Sequence, residues 1–223
     1  MFDKQHVDVL VFDGYGTIFD LESVQPAFDD VAPGRGLDVL RWWRARQLQY
    51  TRRCILTRHY RNLWLLMEQA MDDTSVHFNL KISSIKKREL CEQYLQLKVF
   101  DEVPKTLSKL REKYKLVILS HGTQSMLDAV TRHNQIAHLF EAILSVDAIK
   151  VYKPELKAYE LATQTINLPE SAFGYIGVNP MDIAGARAFG MKTIWLFRQG
   201  KKSRLMELVA HTCIKELKVL STY

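Results

Sequence analysis

Apolar residues follow two different periods along this chain, and the two periods predict two kinds of structure. Near the N-terminus, and again beyond residue 104, apolar and β-branched residues form short continuous runs of strand length. Between residues 21 and 97 the apolar positions follow helical spacing, without a strand–turn–strand pattern. The predicted strands cover residues 7–12, 116–120, 142–146, 173–178 and 192–197.

The second half of the chain alternates these strands with helices, and turn residues mark the helix ends. Helices are predicted over residues 124–133, from Pro154 in the first turn to about residue 166, and from Asn179 to Gly190. This alternation favours an α/β fold with a doubly wound, mainly parallel, Rossmann-like sheet.

The helical stretch between the first two strands needs a separate explanation. It holds roughly 80 residues, far more than a crossover loop requires. It is broken once, at Pro33-Gly34-Arg35-Gly36, after which Asp38 is predicted to cap the next helix. We therefore expect an all-helical cap domain over residues 18–98, inserted into an α/β core formed by residues 1–17 and 99–223.

Composition narrows the classes of protein without choosing among them. The 223 residues are 47% hydrophobic and 25% charged, which suits one domain with an insert or two small domains. No apolar run approaches the length of a membrane span, and the N-terminus does not resemble a signal peptide. Three scattered cysteines form no metal-ligand spacing and favour a reducing cytoplasm. The net charge of +6 favours anionic partners, but it does not distinguish a nucleic acid from a small acid.

The first predicted strand ends at a single carboxylate, Asp13, which two glycines and a threonine follow. Open α/β sheets bind their ligands at the carboxyl ends of their strands, and a carboxylate there can act as a nucleophile. Gly14 and Gly16 would let the chain turn sharply and bring backbone N–H groups close to a ligand. From the local pattern alone, Asp13 is equally well explained as a residue that caps a turn.

Further polar residues follow the other predicted strands at the same edge of the sheet. They are Thr17, Ser120, His121, Lys153, Asn179 and Asp182. Singly, each has a simpler explanation as a turn hydroxyl, a solvated lysine or a carboxylate in the first turn of a helix. Together, a nucleophile, a cation, two hydroxyls and a second carboxylate at one edge indicate a site for acyl or alkyl transfer.

Arg44 lies in the helical stretch on one helical line with Leu40, Leu48 and Thr51. Arginine is seldom buried without an anion, and its planar fork suits a carboxylate or a halide. The neighbouring arginines scatter around the helix and, with nearby aromatic residues, could imitate an RNA-binding face. A solvated helical surface explains them better, so we expect no nucleic-acid partner.

Several short motifs carry a resemblance to a known family that covers most of the chain. Asp13-Gly14-Tyr15-Gly16-Thr17 resembles the first motif of the haloacid dehalogenase superfamily. Most phosphatases of that superfamily have a second aspartate where this chain has Tyr15, so the motif looks more like the L-2-haloacid dehalogenases. The other matching motifs are Trp43-Arg44-x-x-Gln47-Leu48-x-Tyr50-Thr51, Ile118-Leu119-Ser120-x-Gly122, Ser145-Val146-Asp147, Val151-Tyr152-Lys153-Pro154, Tyr159-Glu160-Leu161-Ala162 and Asn179-x-x-Asp182.

The resemblance also implies a reaction and a set of site residues. Asp13 would attack C2 of an L-2-haloalkanoate, displace halide with inversion, and form an ester that water hydrolyses to a D-2-hydroxy acid. Arg44 would stabilise the leaving halide, while Lys153 would offset the Asp13 charge and hold the substrate carboxylate. The implied catalytic residues are Asp13, Thr17, Arg44, Ser120, Lys153, Tyr159, Asn179 and Asp182. The implied substrate-binding residues are Gly14, Tyr15, Arg44, Leu48, Ser120, His121, Lys153 and Met181.

The resemblance also sets the expected cofactors and partners. A halide leaves without a proton, and Tyr15 replaces the second aspartate that a Mg²⁺-dependent phosphatase would use. Val178 stands where metal-binding relatives often have Asp, so we expect neither a metal nor another cofactor. The expected partner is a small 2-haloacid or a related carboxylate, without membrane association. A homodimer is a further expectation, because members of the resembled family are often dimers.

Four positions depart from the resembled pattern. His121 replaces an Asn that helps bind halide, and Gly177 replaces a Ser near the nucleophile or its water. Ala45 replaces a Gln, and Met181 replaces a Trp near the substrate pocket. Two alternatives therefore stay open: a phosphatase of the same superfamily, and an altered member that binds a small carboxylic acid or a partner protein.

Overall fold

The chain forms a parallel β-sheet in the computed structural model, which describes residues 7–198 and 204–222. The strands are β1 (Val9–Phe12), β2 (Lys115–Ser120), β3 (Ala142–Ser145), β4 (Phe173–Gly177), β5 (Lys192–Leu196) and β6 (Thr212–Ile214). All neighbouring pairs are parallel, in the order β3-β2-β1-β4-β5-β6. Strand β1 lies in the middle of the sheet, and the later strands extend outward from it on both sides, which is the Rossmann-like order. The predicted fold class is therefore confirmed.

Helices occupy the connections between these strands. They are α1 (Gln25–Asp29), α2 (Gly36–Thr57), α3 (Leu63–His77), α4 (Ser84–Glu92), α5 (Val103–Arg111), α6 (Gln124–His133), α7 (Leu156–Ile166), α8 (Pro180–Phe189) and α9 (Arg204–Val209). Every residue of β1 and β4 is buried, which explains why these strands read as continuous apolar runs instead of alternating ones. Among the described residues, no helix combines the length and apolarity that crossing a bilayer would require.

Helices α1–α4 lie between β1 and β2 and form the predicted helical cap. Helix α2 packs against α1 and α3, and α3 packs against α4. Trp43 is fully buried at the centre of the cap, where its ring lies 5.4 Å from that of Phe28 and its Nε1 donates to the Met67 carbonyl at 3.0 Å. The chain leaves and re-enters the core side by side, because the N–H of Asp20 donates to the carbonyl of Lys98 at 2.8 Å. The domain boundaries at residues 17 and 98 stay a prediction.

Two predicted helix starts are wrong. Asp38 does not cap α2, which begins two residues earlier because Asp29 Oδ1 accepts a hydrogen bond from the Gly36 N–H at 2.9 Å. A Cβ on Gly36 would lie 2.5 Å from Asp29 atoms, so this close approach requires glycine. Pro154 does not lie in the first turn of α7. The N–H of Glu155 bonds to the carbonyl of Tyr152 at 3.0 Å, so the chain makes a turn there and the helix begins at Leu156.

The strand boundaries differ from the prediction by one or two residues, and one strand was missed. Strand β1 begins at Val9 instead of residue 7, and β3, β4 and β5 each end one residue early. Strand β6 has only three residues, of which just one is fully buried. So short an edge strand carries no run or alternation from which it could be predicted.

Candidate active site

Asp13 lies at the carboxyl edge of the sheet, between the ends of β2 and β4. Val11 pairs with Val117 on one side and with Tyr175 on the other, so Asp13, two residues further on, follows the same register. Its N–H donates to the carbonyl of Ile176 at 2.9 Å, which fixes the backbone where the strand ends. The Asp13 residue is 8% exposed, so its carboxylate is nearly buried yet keeps limited access.

Lys153 brings a positive charge to this carboxylate. Its Nζ lies 2.7 Å from Asp13 Oδ1 and 3.0 Å from Asp182 Oδ2, and it also donates to the Leu119 carbonyl at 3.0 Å and to Tyr175 Oη at 2.8 Å. Burial alone would lower the pKa of the ammonium, but the charges of Asp13 and Asp182 outweigh it and raise the pKa above its ordinary value. Four oxygens within 3.0 Å account for all three ammonium hydrogens of Lys153.

The second oxygen of Asp13 is held from its own loop. Thr17 Oγ1 donates to Asp13 Oδ2 at 3.2 Å, and Thr17 itself is fully buried. Arg198 supports this loop, since its Nη2 donates to the Thr17 carbonyl at 2.8 Å while its Nη1 pairs with Glu102 at 2.6 Å. Both oxygens of Asp13 are therefore fixed by the protein.

Asp182 is a second buried carboxylate, in the first turn of α8. Its Oδ1 accepts from Asn179 Nδ2 at 2.9 Å, and its side chain is almost fully buried. Tyr159 Oη donates to the Asp182 backbone carbonyl at 2.7 Å. A Cβ at Gly185 would lie 2.6 Å from Tyr159 Oη, so glycine is needed for this contact. Tyr159 thus fixes the start of α8, and its ring also packs edge-on against Tyr175, with the ring centroids 5.5 Å apart.

Unpartnered polar groups surround Asp13. In the described part of the chain, neither Ser120 Oγ nor Tyr15 Oη has a hydrogen-bond partner, although both are buried. The N–H groups of Gly14 and Tyr15 likewise donate to no acceptor among the described residues. A Cβ on Gly14 would lie 2.9 Å from Ser120 Oγ, so the glycine turn and the serine hydroxyl face the same space. Buried donors without partners indicate a site that a polar ligand completes.

His121 follows Ser120 and contacts the lysine loop. Its Nε2 accepts a hydrogen bond from the Lys153 backbone N–H at 3.1 Å. Burial, with the Lys153 charge as a second cause, lowers the pKa of His121 well below its ordinary value. The ring is therefore neutral, and its proton lies on Nδ1. Its face packs edge-on against Tyr152, with the ring centroids 4.9 Å apart.

Arg44 approaches the site from helix α2 of the cap. Its Nη1 donates to Gln47 Oε1 at 3.3 Å, and that oxygen also accepts from Tyr94 Oη at 3.2 Å. Tyr94 packs against Tyr15 with the two rings tilted by 42° and 5.4 Å between the ring centroids. Burial raises the pKa of Tyr15 above its usual range, and the charge of Arg44 opposes that rise, as it does for Tyr94. The guanidinium is therefore close enough to act on charges at the site.

Two of the predicted substrate-binding residues lie at the margin. Leu48 is partly buried, one helical turn beyond Arg44 on α2. Met181 is 53% exposed in the first turn of α8, where its N–H donates to Asn179 Oδ1 at 3.0 Å. The other predicted residues come together around Asp13, either directly or through the contacts described above.

Two residues at the site were not predicted from the sequence. Tyr175 is fully buried in β4 and its hydroxyl contacts Lys153. Gln47, also fully buried, has a side-chain amide nitrogen without a partner and an oxygen that holds Arg44. The signal for Tyr175 is a hydroxyl in an otherwise apolar strand, and Gln47 is marked by its place in the motif that contains Arg44.

Metal ligands form no cluster at this site. Among the described residues, no group of three or more His, Cys, Asp and Glu side chains is arranged to hold a metal ion. The expectation of a reaction without a metal stays a prediction that needs an activity measurement.

The fold and the site together define a class: an α/β protein with a helical cap and a lysine-bound aspartate at the end of its first strand. Comparison with known proteins supports this class. A family model described as haloacid dehalogenase-like hydrolase matches residues 47–196. The (S)-2-haloacid dehalogenase of Pseudomonas sp. (strain YL) is 39% identical over 87% of this chain and 84% of its own length. (S)-2-haloacid dehalogenase H-109 of Pseudomonas putida is 32% identical over 88% of each chain.

Solved structures give the same result. The L-2-haloacid dehalogenase of Xanthobacter autotrophicus has a TM-score of 0.89 at 25% identity, over 97% of each chain. Another L-2-haloacid dehalogenase structure reaches a TM-score of 0.92 at 30% identity, over 98% of each chain. This chain therefore belongs to the haloacid dehalogenase-like hydrolase family and groups within it with the (S)-2-haloacid dehalogenases. The family predicted from the sequence motifs is confirmed.

Proposed function

We propose that this protein hydrolyses L-2-haloalkanoic acids to D-2-hydroxy acids through an ester on Asp13. The observation that carries the proposal is the pair of Asp13 and Lys153, a nearly buried carboxylate 2.7 Å from a fully buried ammonium. The named (S)-2-haloacid dehalogenase relatives support the same reaction.

In the first step, one oxygen of the Asp13 carboxylate forms a bond to C2 of the substrate. The carbon–halogen bond breaks, and the halide leaves with the bonding electrons. Attack from the side opposite the halogen inverts C2, which converts the L configuration to D. Lys153 and Thr17 hold the two carboxylate oxygens, so the nucleophile is oriented before the substrate enters.

The substrate carboxylate binds to the unpartnered donors beside the nucleophile. Ser120 Oγ and the N–H groups of Gly14 and Tyr15 are the available groups. Lys153 has no hydrogen left for direct donation, because protein oxygens already take all three. Its role toward the substrate is therefore electrostatic: its positive charge offsets the repulsion between the Asp13 carboxylate and the substrate carboxylate at close range.

The departing halide is stabilised by Arg44 and by His121. Negative charge develops on the halogen in the transition state, and a fixed cation in a site of low water content stabilises it. Arg44 supplies that charge from the cap, held by Gln47. His121 contributes its Nδ1–H as a neutral donor, since Nε2 is occupied by the Lys153 backbone.

Water then hydrolyses the ester. Its oxygen attacks the ester carbonyl carbon of Asp13. The bond from that carbon to the ester oxygen then breaks, and the hydroxy acid leaves with this oxygen, which came from Asp13. Asn179 and Asp182, joined by a hydrogen bond of 2.9 Å, position the water. One proton of the water passes to Asp182 and then to the departing oxygen, and the other leaves Asp13 for solvent as its carboxylate re-forms.

The substrate is a small 2-haloacid or a related carboxylate, the reaction needs no metal or other cofactor, and the enzyme acts in the cytoplasm as a homodimer. The scarcity of cysteine and the basic pI of about 9.2 support a reducing compartment and an anionic substrate.

The test is halide release from L-2-chloropropionate, measured beside the D enantiomer and with EDTA present. We expect L-selective, EDTA-resistant release by the wild type and none by Asp13→Asn. Asp72→Asn is the matched control, because Asp72 pairs with Lys87 on the exposed face of the cap. Its activity should equal that of the wild type.

Two results would contradict the proposal. Mg²⁺-dependent cleavage of an aryl phosphate, without halide release, would identify a phosphatase instead. A folded protein that binds 2-chloropropionate but releases no halide, and is inert toward bromoacetate as well, would identify an altered member without turnover.

A further inference from the structure

Tyr175 lies beside the catalytic charges, although no motif assigns it a role. It is the third residue of β4 and is fully buried. In the register of the sheet it pairs with Val11, so Tyr175 and Gly177 are on the same side of the sheet as Val11 and Asp13. The tyrosine side chain is therefore directed toward the nucleophile.

The Tyr175 hydroxyl contacts the lysine that pairs with both carboxylates. Lys153 Nζ donates to Tyr175 Oη at 2.8 Å, and the same ammonium pairs with Asp182 Oδ2 at 3.0 Å. The ammonium also lies 5.5 Å from the centre of the Tyr175 ring. Burial first, and then the charges of Asp182 and Asp13, raise the pKa of Tyr175 well above its ordinary value, so it remains a hydroxyl.

Gly177 supplies the space that this arrangement needs. A Cβ at Gly177 would lie 3.2 Å from Tyr175 Cε1 and 3.5 Å from Asp13 Cβ. The first distance is tighter than ordinary van der Waals contact, so a larger residue would press on the tyrosine ring. Gly177 is also one of the positions where this chain departs from the dehalogenases it resembles, which usually have a serine hydroxyl there.

We propose that Tyr175 is a positioning residue for the dehalogenation: its hydroxyl orients Lys153, and through Lys153 the carboxylates of Asp13 and Asp182, and it supplies the hydroxyl that Gly177 lacks. Tyr175 and Gly177 thus act as a coupled pair, because the ring occupies space that only glycine leaves free. This inference rests on the proposed function, since it concerns the same site and the same reaction.

The first measurement compares steady-state kinetics of the wild type with Tyr175→Phe on L-2-chloropropionate. Loss of the hydroxyl that accepts from the buried Lys153 ammonium should lower kcat about 10- to 100-fold, with KM changed by less than about twofold. Tyr50→Phe is the matched control, because Tyr50 is a buried cap tyrosine whose hydroxyl likewise bonds to a charged side chain, the carboxylate of Asp73. It should keep the wild-type kcat.

The second measurement tests the coupling by rescue. Gly177→Ser alone should lower kcat, because its Cβ displaces the Tyr175 ring. The double variant Tyr175→Phe/Gly177→Ser regains a hydroxyl at the site and should be more active than the product of the two single losses predicts. The double variant Tyr175→Phe/Gly177→Ala adds the same Cβ without a hydroxyl, so its kcat should not recover.

The outcomes separate this inference from the proposed function. A wild type without L-selective halide release overturns the proposed function, and the inference with it. An active wild type with Tyr175→Phe at the same kcat overturns the inference alone. Equal recovery of kcat by the serine and alanine double variants would also contradict the inference. The coupling between positions 175 and 177 would then be due to packing and not to the hydroxyl.

Discussion

The ammonium of Lys153 lies 2.7 Å from Asp13 Oδ1 and 3.0 Å from Asp182 Oδ2, and its side chain has no exposure to solvent. One buried cation therefore serves two buried carboxylates. Buried charges of this kind are tolerated only when they are paired, because the protein interior does not solvate them as water would. We therefore expect the stability of the fold and the reactivity of the site to depend on the same nitrogen.

Lys153→Met tests this dependence, because it keeps the length of the side chain and removes the charge. We expect the free energy of unfolding to fall by about 3–5 kcal/mol, since two carboxylates lose their buried partner. Halide release should fall by at least about 1000-fold. Lys87→Met is the control: Lys87 pairs with Asp72, whose side chain is 68% exposed, and its removal should cost less than about 1 kcal/mol in urea unfolding. Equal unfolding midpoints for the two variants would contradict the predicted role.

The alkaline pH dependence of kcat follows from the raised pKa of Lys153. A lysine whose folded pKa exceeds its unfolded value of about 10.4 contributes full stability below that pH and loses it only as the pH rises through the folded pKa. Lys153 should therefore stay charged at least to about pH 10. We expect kcat for L-2-chloropropionate to show no falling limb up to that pH, with circular dichroism at each pH to confirm folding. A limb with an apparent pKa near 8 to 9, in folded protein, would be inconsistent with Lys153 as assigned.

The positions of most site residues could be predicted because they follow buried parallel strands. A strand that is buried on both faces produces a continuous apolar run, and its end is marked by the first polar residue, such as Asp13 after β1 or Ser120 at the end of β2. The carboxyl ends of parallel strands share one edge, so these residues were expected to meet. The helical stripe of α2 likewise placed Arg44 on the face that approaches the site.

Tyr175, Gln47 and the start of α7 could not be predicted in this way. Tyrosine is a common strand residue, and only the register with β1 shows that its hydroxyl points toward Lys153. Gln47 acts through Arg44 and Tyr94, which lie on two different segments of the cap. Pro154 is typical of a first helical turn, but the contact between His121 and the Lys153 N–H holds that segment in a loop.

His121→Asn tests the burial of a neutral histidine. Because burial lowers the pKa of His121 in the folded state, the unfolded state binds the proton first as the pH falls below about 6.5. The wild type should therefore lose stability below that pH, by up to about 1.4 kcal/mol per pH unit from this residue. His121→Asn removes the group that takes up this proton, so the variant should not lose stability in this way. Its stability relative to the wild type should therefore rise as the pH is lowered from about 7 to 5.5. Parallel urea midpoints over that range would contradict the assignment of a neutral His121.

Arg44→Lys tests whether the cap arginine stabilises the departing halide. The substitution keeps the charge but loses the planar fork, and with it the hydrogen bond from Nη1 to Gln47 that orients the group. Chloride is a poorer leaving group than bromide and needs more stabilisation in the transition state, so the loss should be larger for the chloride substrate. We expect kcat/KM to fall about 10- to 100-fold for L-2-chloropropionate and several-fold less for L-2-bromopropionate. Arg41→Lys is the matched control, because Arg41 lies on the same helix with its side chain 56% exposed and paired with Glu22. Equal losses for the two halides in Arg44→Lys would show that Arg44 binds the substrate carboxylate or shapes the cap, and would exclude a specific role at the leaving group.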